Sequence, residues 1–421
     1  MKILFLDAYY EPEIIAYTHL ENNLIEGLIT HGHKIHIICP TPTRGITDKI
    51  KEQYKKIKHE SKYNGAVTVE RFWAPQEGKN PFVRAFRYFW CNLRTYQKAI
   101  KQTNIDVVFS NSTPPTQGAL SGLVAKKMSK KSNKKVPFVY NLQDIFPDSL
   151  VNTNLTRKGS ILWKIGRKME DFTYKNADKI ILISQGFKRN VLAKGVPADK
   201  VEVISNWIDL DSVRPVERKD NRLISEFGLD PSKYIVVYAG NFGAAQGADI
   251  VLKAAKELEA YKDIQFVIFG GGPYFEDAKK EAEILENVFI HELMPADRIS
   301  EVYSLGDVAL ITCKSGTGKA GMPSKTWSIM ACNTQIIASF DVDSDLTETI
   351  HEADAGVYVE PEDVEALCRA IIQSYEQWKL GKNKVDLRSY VIENASKDKC
   401  VKEYVDCLRK SGGEQNACII N

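Results

Sequence analysis

The sequence predicts an α/β protein with two domains, each containing a parallel β-sheet flanked by helices. Short apolar runs bounded by turn residues alternate with amphipathic stretches along nearly the whole chain, a pattern typical of strands joined by crossover helices. At 421 residues the chain is too long for one compact α/β core. The alternation also falls into two series, separated by the charged, aperiodic stretch Asn206–Gly228, where we expect the hinge.

The strands of each series follow from the apolar runs. Between the first two strands, Leu20, Leu24 and Leu28 share one helical face, and Gly32 lies where that helix would end. The first series contains Ile3–Leu6, Lys34–Cys39, Val67–Trp73, Asp106–Asn111, Pro137–Asn141, Lys179–Ser184 and Val201–Asn206. The second contains Tyr234–Gly240, Ile264–Gly270, Val288–Leu293, Val308–Cys313, Gln335–Phe340 and Gly356–Val359.

These series predict an N-terminal domain over residues 1–206 and a C-terminal domain over 207–395. A last helix at about 396–410 is expected to pack back on the N-terminal domain.

Composition excludes several classes of protein. With 43% hydrophobic and 26% charged residues, the chain is neither disordered nor fibrous. Its eight cysteines show no Cys-x-x-Cys spacing, which favours reduced thiols in the cytosol. Asp7 and Glu11 interrupt the first apolar run before a signal peptide could form, and no run approaches the roughly 20 apolar residues of a spanning helix. We therefore expect a cytoplasmic protein that contacts the inner face of the cell membrane peripherally.

Ligands of open parallel sheets bind at the carboxyl ends of the strands, so the residues after each strand are informative. In the second series, Tyr234–Gly240 runs into a glycine-rich turn, and the amides around Gly243–Gly247 are expected to face an anion. The next strand ends in Gly-Gly-Gly-Pro at 270–273, which lets the backbone approach a ligand closely; a tight strand-to-helix turn is the alternative.

A third strand end follows Val308–Cys313. There the sequence places Pro323 at the start of a helix and Lys325 one turn into it. Two helix N-termini and one lysine at neighbouring strand ends would form a diphosphate site without a metal ion.

Other chemistries lack their motifs. The seven histidines never occur with metal-ligand spacing, so no metal and no cofactor is predicted. A Gly-x-Ser-x-Gly elbow is absent, and no Gly-x-Gly-x-x-Gly follows the first strand, which argues against a serine hydrolase and a dehydrogenase.

Seven segments together carry a family resemblance: YEPEI, HGHKIHIICP, NADKIILIS, VEVISNWID, YAGNFGAAQG, FGGGPY and GMPSKTWSIMACNTQIIAS. In order and spacing, over about residues 2–410, they resemble glycosyltransferase family 4, in particular its branch of bacterial capsule, O-antigen and lipopolysaccharide biosynthesis. The resemblance implies the GT-B fold, in which two Rossmann-like domains face a central cleft. It also implies that the C-terminal domain binds a nucleotide-sugar donor and the N-terminal domain the acceptor.

The sequence departs from the family at four positions. Two glutamates common in the family align with Ala320 and Ser328, and an Arg and a Lys that grip the diphosphate align with Asn241 and Gln246. Either the site is degenerate, or backbone amides and lysines replace these groups. The donor-binding residues that the resemblance implies are Asn241, Gly243, Gln246, Gly271, Gly272, Leu293, Met294, Lys319, Gly321, Met322, Pro323, Ser324 and Ser328, with Lys325 acting in catalysis.

The acceptor side would lie in the first half. Asp144, after strand Pro137–Asn141, is where the branch carries an acidic residue, although an N-cap or loop-fixing role is the alternative. Glu13 and His19 follow the first strand; Glu13 is expected on the acceptor side, and His19 and Asp144 in catalysis, with a structural His19 as the alternative.

Two stretches of the first half combine aromatic and basic residues. They are Phe82–Lys98, with Phe86, Phe89, Arg84 and Arg87, and Trp163–Lys168. Helices of this composition can lie in an anionic membrane interface; core packing of the aromatics is the alternative.

The predicted function is retaining transfer of a sugar, an amino-deoxy sugar among the candidates, from a UDP-linked donor to a lipid-linked saccharide in surface polysaccharide biosynthesis. No nucleic acid is an expected partner. By resemblance, the donor phosphate itself can accept the acceptor's proton. The alternatives are a nucleotide-sugar 2-epimerase of the same fold and a non-catalytic GT-B partner subunit.

Overall fold

The computed structural model describes residues 1–15, 17–76, 81–152, 155–382 and 385–413. The chain divides into two compact units. Unit 1 is Met1–Ser205 together with the chain from Cys400 onward, and unit 2 is Asn206–Lys399. The boundaries that the sequence predicts are residues 206 and 395.

Unit 1 alternates strands and helices, as its sequence pattern predicts. Its strands are β1 (Lys2–Leu6), β2 (Lys34–Pro40), β3 (His59–Lys62), β4 (Val67–Phe72), β5 (Val107–Asn111), β6 (Phe138–Leu142), β7 (Lys179–Leu182) and β8 (Val201–Val203). Its helices up to residue 205 are α1 (Thr18–Thr30), α2 (Asp48–Tyr54), α3 (Pro81–Ala99), α4 (Thr116–Ser132), α5 (Asp148–Asn152), α6 (Ile161–Asn176) and α7 (Gln185–Ala193).

The strands of unit 1 form one sheet in the order β3-β4-β2-β1-β5-β6-β7-β8. All neighbours are parallel except β3, which pairs antiparallel with β4. β3 was not predicted, because its four residues, His-Glu-Ser-Lys, carry no apolar run. In contrast, β1 and β5 lie at the centre and are buried along nearly their whole length, which is why they were recognisable as apolar runs.

Two glycines allow α4 and α6 to pack closely. A methyl group on Gly118 would overlap the Thr173 methyl, and one on Gly122 would lie 2.9 Å from Asn176 Cβ. Since α3 also packs against α4, the three helices form one layer over the sheet.

Unit 2 repeats the alternation. Its strands are β9 (Tyr234–Asn241), β10 (Ile264–Gly271), β11 (Val288–Glu292), β12 (Val308–Thr312), β13 (Gln335–Ser339) and β14 (Gly356–Val359). Its helices are α8 (Arg222–Glu226), α9 (Asp249–Glu257), α10 (Phe275–Ala282), α11 (Ile299–Leu305), α12 (Lys325–Ala331), α13 (Asp345–Glu352), α14 (Val364–Lys379) and α15 (Leu387–Ala395).

The strands of unit 2 form a parallel sheet in the order β11-β10-β9-β12-β13-β14. Successive residues of β9 belong to opposite hydrophobic cores: Ile235 and Val237 pack on one face, and Tyr234, Val236 and Tyr238 on the other. Both faces of the sheet are therefore covered, as in doubly wound folds.

The register of β9 and β10 sets the positions of the glycine-rich ends. Gly240 pairs with Gly270, and Asn241 pairs with Gly271, so the turns that follow β9 and β10 begin side by side.

The last helix, α16 (Lys397–Gly412), belongs mostly to unit 1. The Tyr404 hydroxyl donates to Asn141 Oδ1 at 3.0 Å, and a methyl group on Gly27 of α1 would overlap Val401. Tyr404 and Val401 are both buried.

In the described ranges, every helix is too short or too polar to cross a lipid bilayer.

Candidate functional site

The turn after β9 brings two of the predicted donor-binding side chains together. A methyl group on Gly243 would lie 2.7 Å from Asn241 Nδ2 and 2.6 Å from Gln246 Oε1, so these amide side chains flank the Gly243 backbone. Any larger residue at position 243 would push them apart. The sequence aligns Asn241 and Gln246 with charged residues of the family, and the structure places both on one short turn.

The backbone of this turn presents unused donors. The amides of Gly243, Ala244, Ala245 and Gly247 donate to no acceptor within the described residues. The turn's carbonyls, in contrast, point away and are bonded, because Ala245 and Gln246 accept hydrogen bonds from the strand and loop of β12. Free amides on one side and bonded carbonyls on the other suit an anion.

Contacts with the β12 loop hold the turn in place. Thr312 Oγ1 donates to the Gln246 carbonyl at 2.6 Å, and the Lys314 amide donates to the Ala245 carbonyl at 2.9 Å. Gly247 has φ +57°, and a methyl group there would lie 2.8 Å from the Cys313 carbonyl oxygen. Only glycine fits both requirements.

The glycines after β10 lie against the same turn. Gly272 has φ +104°, and a methyl group on it would overlap Asn241 Oδ1. One on Gly271 would lie 3.2 Å from Leu293 Cδ1, so these two predicted residues are also neighbours. Leu293 is exposed, whereas Met294 packs against the core of unit 2.

Lys325 reaches this strand end from α12. Its Nζ donates to the Ala239 carbonyl at 2.7 Å and lies 4.6 Å from the centre of the Tyr238 ring. A methyl group on Gly240 would lie 2.6 Å from the same Nζ. The ammonium group is therefore positioned at the end of β9, where the turn with the free amides begins.

The predicted start of the helix is wrong by two residues. The Pro323 carbonyl accepts from the Thr326 amide, forming a turn before α12, and α12 begins at Lys325. Lys325 is thus the first helical residue rather than one turn in. Its long side chain, and not the position of Pro323, brings the charge to the strand ends.

Burial lowers the pKa of Lys325 from 10.5 to about 8. The residue as a whole is half-buried. No carboxylate of the described chain lies within ion-pair distance of its Nζ. A bound anion would supply the missing counter-charge and raise the pKa of Lys325.

Three acidic residues that the sequence pattern did not identify hold the loop after β12, namely Asp341, Asp249 and Glu362. Asp341 accepts from the amides of Gly316, at 2.9 Å, and Gly318, at 2.7 Å. Lys314 Nζ lies 3.2 Å from Asp249 and 2.8 Å from Glu362. Asp341 directly follows an apolar strand, the same signal that identified the other strand ends, so the sequence could have revealed it.

Lys319 is the predicted donor ligand least connected to this arrangement. It is exposed and lies 3.6 Å from Asp343 on the surface. Ala320, its neighbour, belongs to a short 3-10 turn over Gly318–Ala320.

The other predicted donor residues lie between this loop and α12 or within α12 itself. Gly321 has φ +151°, Pro323 is half-buried and Ser324 is exposed. Met322 packs against the core of unit 2, and Ser328 is buried within α12. Met322 and Met294 are thus partly buried contributors to the core, which is the role that the structure gives them.

In unit 1, Glu13 is buried and organises a loop. Its Oε1 accepts from the amides of Thr43 and Arg44, at 2.6 and 2.8 Å, while Oε2 has no partner among the described residues. Burial raises the pKa of Glu13, against these hydrogen bonds. Its position joins the loops after β1 and β2.

The two other predicted residues of unit 1 are exposed. His19 lies in the first turn of α1, and partial desolvation lowers its pKa. Asp144 follows β6, and its amide donates to Ser112 Oγ at 3.1 Å. Partial desolvation raises the pKa of Asp144, against hydrogen bonds from Ser149 and the Ile145 amide, so a loop-fixing contact exists beside any role with substrate.

A buried polar network at the carboxyl ends of β1, β5 and β6 escaped the sequence analysis. Asn111 Nδ2 lies 3.4 Å from both Asp7 Oδ1 and Glu21 Oε1, and Asn141 Nδ2 donates to Asn111 Oδ1 at 2.7 Å. Burial raises the pKa of Asp7, and burial together with the Asp7 carboxyl raises that of Glu21. Like charges this close favour one shared proton.

The two aromatic and basic stretches of unit 1 form helices with exposed apolar side chains. Phe82, Phe86 and Phe89 of α3 are 83%, 55% and 65% exposed. On α6 the exposed apolar residues are Ile161, Leu162 and Ile165. We call Phe82, Phe86 and Phe89 of α3 the α3 aromatic face. These three side chains do not pack in the core, because the aromatic side chains of the core lose nearly all of their exposure to solvent.

Arg87 does not belong to this surface. It is buried and donates to the Pro75 carbonyl and, at 3.1 Å, to Thr43 Oγ1. The prediction that Arg87 lies on the membrane-facing surface is wrong, because helical position alone does not tell which face of α3 meets the sheet.

Within the described residues, no group of three or more His, Cys, Asp or Glu side chains is arranged to hold a metal ion.

Comparison with known proteins agrees with this architecture. The family model for Glycosyltransferase Family 4 matches residues 22–212, and that for Glycosyl transferases group 1 matches residues 220–398. The chain is 24% identical over 417 residues to the putative colanic acid biosynthesis glycosyl transferase WcaI of Escherichia coli, covering 97% of this chain and 100% of WcaI. It is 26% identical over 351 residues to the probable glycosyltransferase WbjE of Pseudomonas aeruginosa, covering 82% and 85% of the two chains.

Solved structures share the fold at low sequence identity. Sucrose-phosphate synthase from Thermosynechococcus elongatus aligns with a TM-score of 0.72 and 16% identity, covering 97% of this chain and 98% of the synthase. Anabaena Alr3699/HepE, solved in complex with UDP, aligns with a TM-score of 0.69 and 16% identity, covering 97% and 100%. The two family models together span both units, and the chain belongs to glycosyltransferase family 4 with the GT-B fold.

Proposed function

We propose that this glycosyltransferase moves a sugar from a UDP-linked donor to a lipid-linked saccharide during the assembly of a surface polysaccharide. An amino-deoxy sugar is the first donor to test. The observation that carries the proposal is the strand end of unit 2, where the free amides of Gly243, Ala244, Ala245 and Gly247 follow the end of β9. Lys325 lies at the same strand end and has no carboxylate partner among the described residues.

The donor assignment rests on charge and on a neighbour. A diphosphate would accept hydrogen bonds from the amides and neutralise Lys325, and the Asn241 and Gln246 amides can add neutral hydrogen bonds. Anabaena Alr3699/HepE, which has the same fold, has been solved with UDP and with UDP-glucose. This supports UDP as the nucleotide.

The proposed chemistry retains the anomeric configuration. The bond between the sugar C1 and the β-phosphate oxygen breaks, and an oxygen of the acceptor bonds to C1 on the same face. The acceptor's proton passes to the departing phosphate oxygen, so no protein base is required. Lys325 and the turn amides would stabilise the growing negative charge of the diphosphate, which is the main catalytic contribution in this scheme.

The acceptor assignment rests on WcaI and on the α3 aromatic face. WcaI is described as a colanic acid biosynthesis enzyme, which supports a polysaccharide product. Exposed Phe82, Phe86 and Phe89 would bring the protein to the membrane that holds a lipid-linked acceptor. Asp144 and His19 remain candidates for contact with that acceptor.

The test is a donor screen. UDP-linked hexoses and amino-deoxy sugars are each incubated with decyl-diphosphate-linked monosaccharides, with EDTA present, and products are identified by mass spectrometry. We expect one donor to yield a disaccharide, at the same rate as in a parallel reaction without EDTA. A parallel sample without acceptor detects a 2-epimerase by the sugar epimer that it would form.

The Lys325→Met variant is the control for the site. Removing one charged donor to a leaving group is expected to reduce kcat about 100-fold or more at saturating donor. A variant with the parent rate, or a parent that binds no nucleoside diphosphate by calorimetry, would contradict the proposal. The second outcome would favour a non-catalytic subunit.

A further inference from the structure

A narrow cavity lies at the carboxyl edge of the unit 1 sheet, where the ends of β1 and β2 meet α3 and the first turn of α4. Its walls include the rings of Tyr9 and Tyr88 and the polar side chains of Asp7, Asn92 and Gln117. It encloses about 300 Å³ of space, part of it open to solvent. Its enclosed part admits a group about the size of one water molecule or one hydroxyl.

Most polar groups around the cavity already have partners. Arg87, which also lines it, donates to Thr43 Oγ1 at 3.1 Å and to a backbone carbonyl. Asn92 Oδ1 accepts from Thr116 Oγ1 at 3.3 Å. Asp7 accepts from the buried network described above. These groups are therefore fixed in position before any ligand arrives.

Gln117 is the exception. It is 3% exposed, and its Nε2 has no acceptor among the described residues. Its backbone is held at both ends of the residue: the amide donates to the Pro114 carbonyl at 2.8 Å, and the carbonyl accepts from Ser121 Oγ at 2.9 Å. The side-chain N–H groups are thus presented to the cavity by a rigid helix start. Leaving such a donor without a partner is costly, so a hydrogen-bond acceptor is expected there.

We propose that Gln117 donates a hydrogen bond to one hydroxyl group of the acceptor saccharide and thereby determines acceptor specificity. This inference rests on the proposed function. A hydroxyl fits because it accepts from Gln117 and can donate to a carboxyl such as Asp7. A phosphate is too large for the enclosed part, and Asp7 would repel it when ionised.

The helix that lines this cavity also carries the α3 aromatic face. Arg87 and Asn92 are directed to the cavity side of α3, whereas Phe82, Phe86 and Phe89 are exposed to solvent. One helix therefore combines a polar subsite with a surface suited to lipid. A saccharide attached to a lipid could contact both.

The test uses the Gln117→Met variant, which removes the amide and keeps the length of the side chain. Acceptor KM is measured with decyl-diphosphate-linked monosaccharides and with the monodeoxy analogue at each sugar position, using the donor from the screen. We expect the acceptor KM to rise about tenfold or more while the donor KM is unchanged. One deoxy analogue should be a poor acceptor for the parent enzyme, whereas the variant should use that analogue and the full acceptor equally well.

Gln102→Met is the matched control. Gln102 is half-buried in the same unit and its Nε2 donates to Glu70 Oε2 at 3.1 Å, away from the cavity. We expect this variant to keep both KM values. UDP binding and the melting temperature report whether each variant is folded. If Gln117→Met does not fold, Gln117→Asn, which retains a shortened amide, takes its place. Gln117→Asn should also raise the acceptor KM.

The two failures are distinguishable. If the parent enzyme transfers sugar but the Gln117 variant keeps the parent's acceptor KM and its preference against every deoxy analogue, the subsite is wrong and the proposed function stands. If the parent transfers sugar to no acceptor, the proposed function and the subsite both fall.

Discussion

Lys325 is a lysine whose side chain faces backbone and an aromatic ring instead of a carboxylate. In the folded protein its pKa is about 8, whereas an unfolded chain has the ordinary 10.5. The folded state therefore binds fewer protons between these values, and stability is expected to rise as pH increases from 8 to 10.5. Near pH 7 the charge is present and costs stability until an anion binds.

We predict that UDP binding weakens as pH rises through about 8, because the free lysine then loses the proton that attracts the diphosphate. Calorimetry at pH 7 and pH 9 measures this, and two buffers of different ionisation enthalpy detect proton uptake. Lys325→Met should bind UDP about 10- to 100-fold more weakly at pH 7, because the variant loses one charged hydrogen bond to the diphosphate. It should melt no lower than the parent protein at pH 7. An equally steep pH dependence in the variant would contradict the assignment.

Gly272 is a position where substitution acts on the site through its neighbour. We predict that Gly272→Ala weakens UDP binding and lowers the free energy of unfolding by about 1–3 kcal/mol, because the methyl group displaces Asn241 and the residue keeps a positive φ. Gly228→Ala is the control, since Gly228 has φ +62° and nothing within 4 Å of the added methyl group. Gly228→Ala should have the strain of a positive φ without a clash with any neighbour, and it should bind UDP as the parent protein does. Equal loss of UDP binding in both would show that Asn241 is not involved.

At the scale of elements, α3 connects the sheet of unit 1 to solvent. Its buried side carries Arg87, and its exposed side carries three phenylalanines whose contact with water is unfavourable. Exposed apolar groups on one helix of this kind mark interaction sites more often than isolated ones do.

We predict that the protein floats with vesicles containing anionic phospholipid, and that replacing Phe82, Phe86 and Phe89 by Ser abolishes most of this binding. The measurement is sucrose-gradient flotation at low and high salt. Ile284→Ser is the control, because Ile284 is 75% exposed but belongs to unit 2. Flotation of the triple variant at the parent level would exclude the α3 aromatic face as the membrane contact.

At the scale of the whole molecule, the chain passes from unit 1 to unit 2 and returns through α16. The returning helix buries Cys400, Val401, Tyr404, Val405, Cys407 and Leu408. Unit 2, in contrast, is one continuous segment with cores on both faces of its sheet. The two units therefore depend differently on the chain termini.

We predict that a fragment of residues 206–399 folds cooperatively and binds UDP, whereas residues 1–205 alone do not fold stably, since they lack α16. Circular dichroism during thermal unfolding tests both, with calorimetry for UDP. Adding a peptide of residues 397–413 to the 1–205 fragment should restore part of its structure. A 1–205 fragment that melts as cooperatively as the whole protein would contradict this prediction.

The features that depend on local pattern were predictable from the amino-acid sequence. The predicted strands of both series agree with the observed ones to within a few residues at their ends, because parallel strands buried on both faces appear as apolar runs. The glycine-rich ends of β9 and β10 were evident because they directly follow these apolar runs. The resemblance to the family followed from the order of the motifs. β3, a short polar edge strand, left no such pattern.

Contacts between distant side chains, in contrast, follow from the packing of the folded chain. Lys325 contacts Ala239, 86 residues earlier in the chain. Asp7 accepts a hydrogen bond from Asn111, 104 residues later. The burial of Arg87 and the unpaired amide of Gln117 likewise follow from how α3 and α4 pack on the sheet. Sequence spacing carries no information about such distant pairs. The order of the strands brings them together.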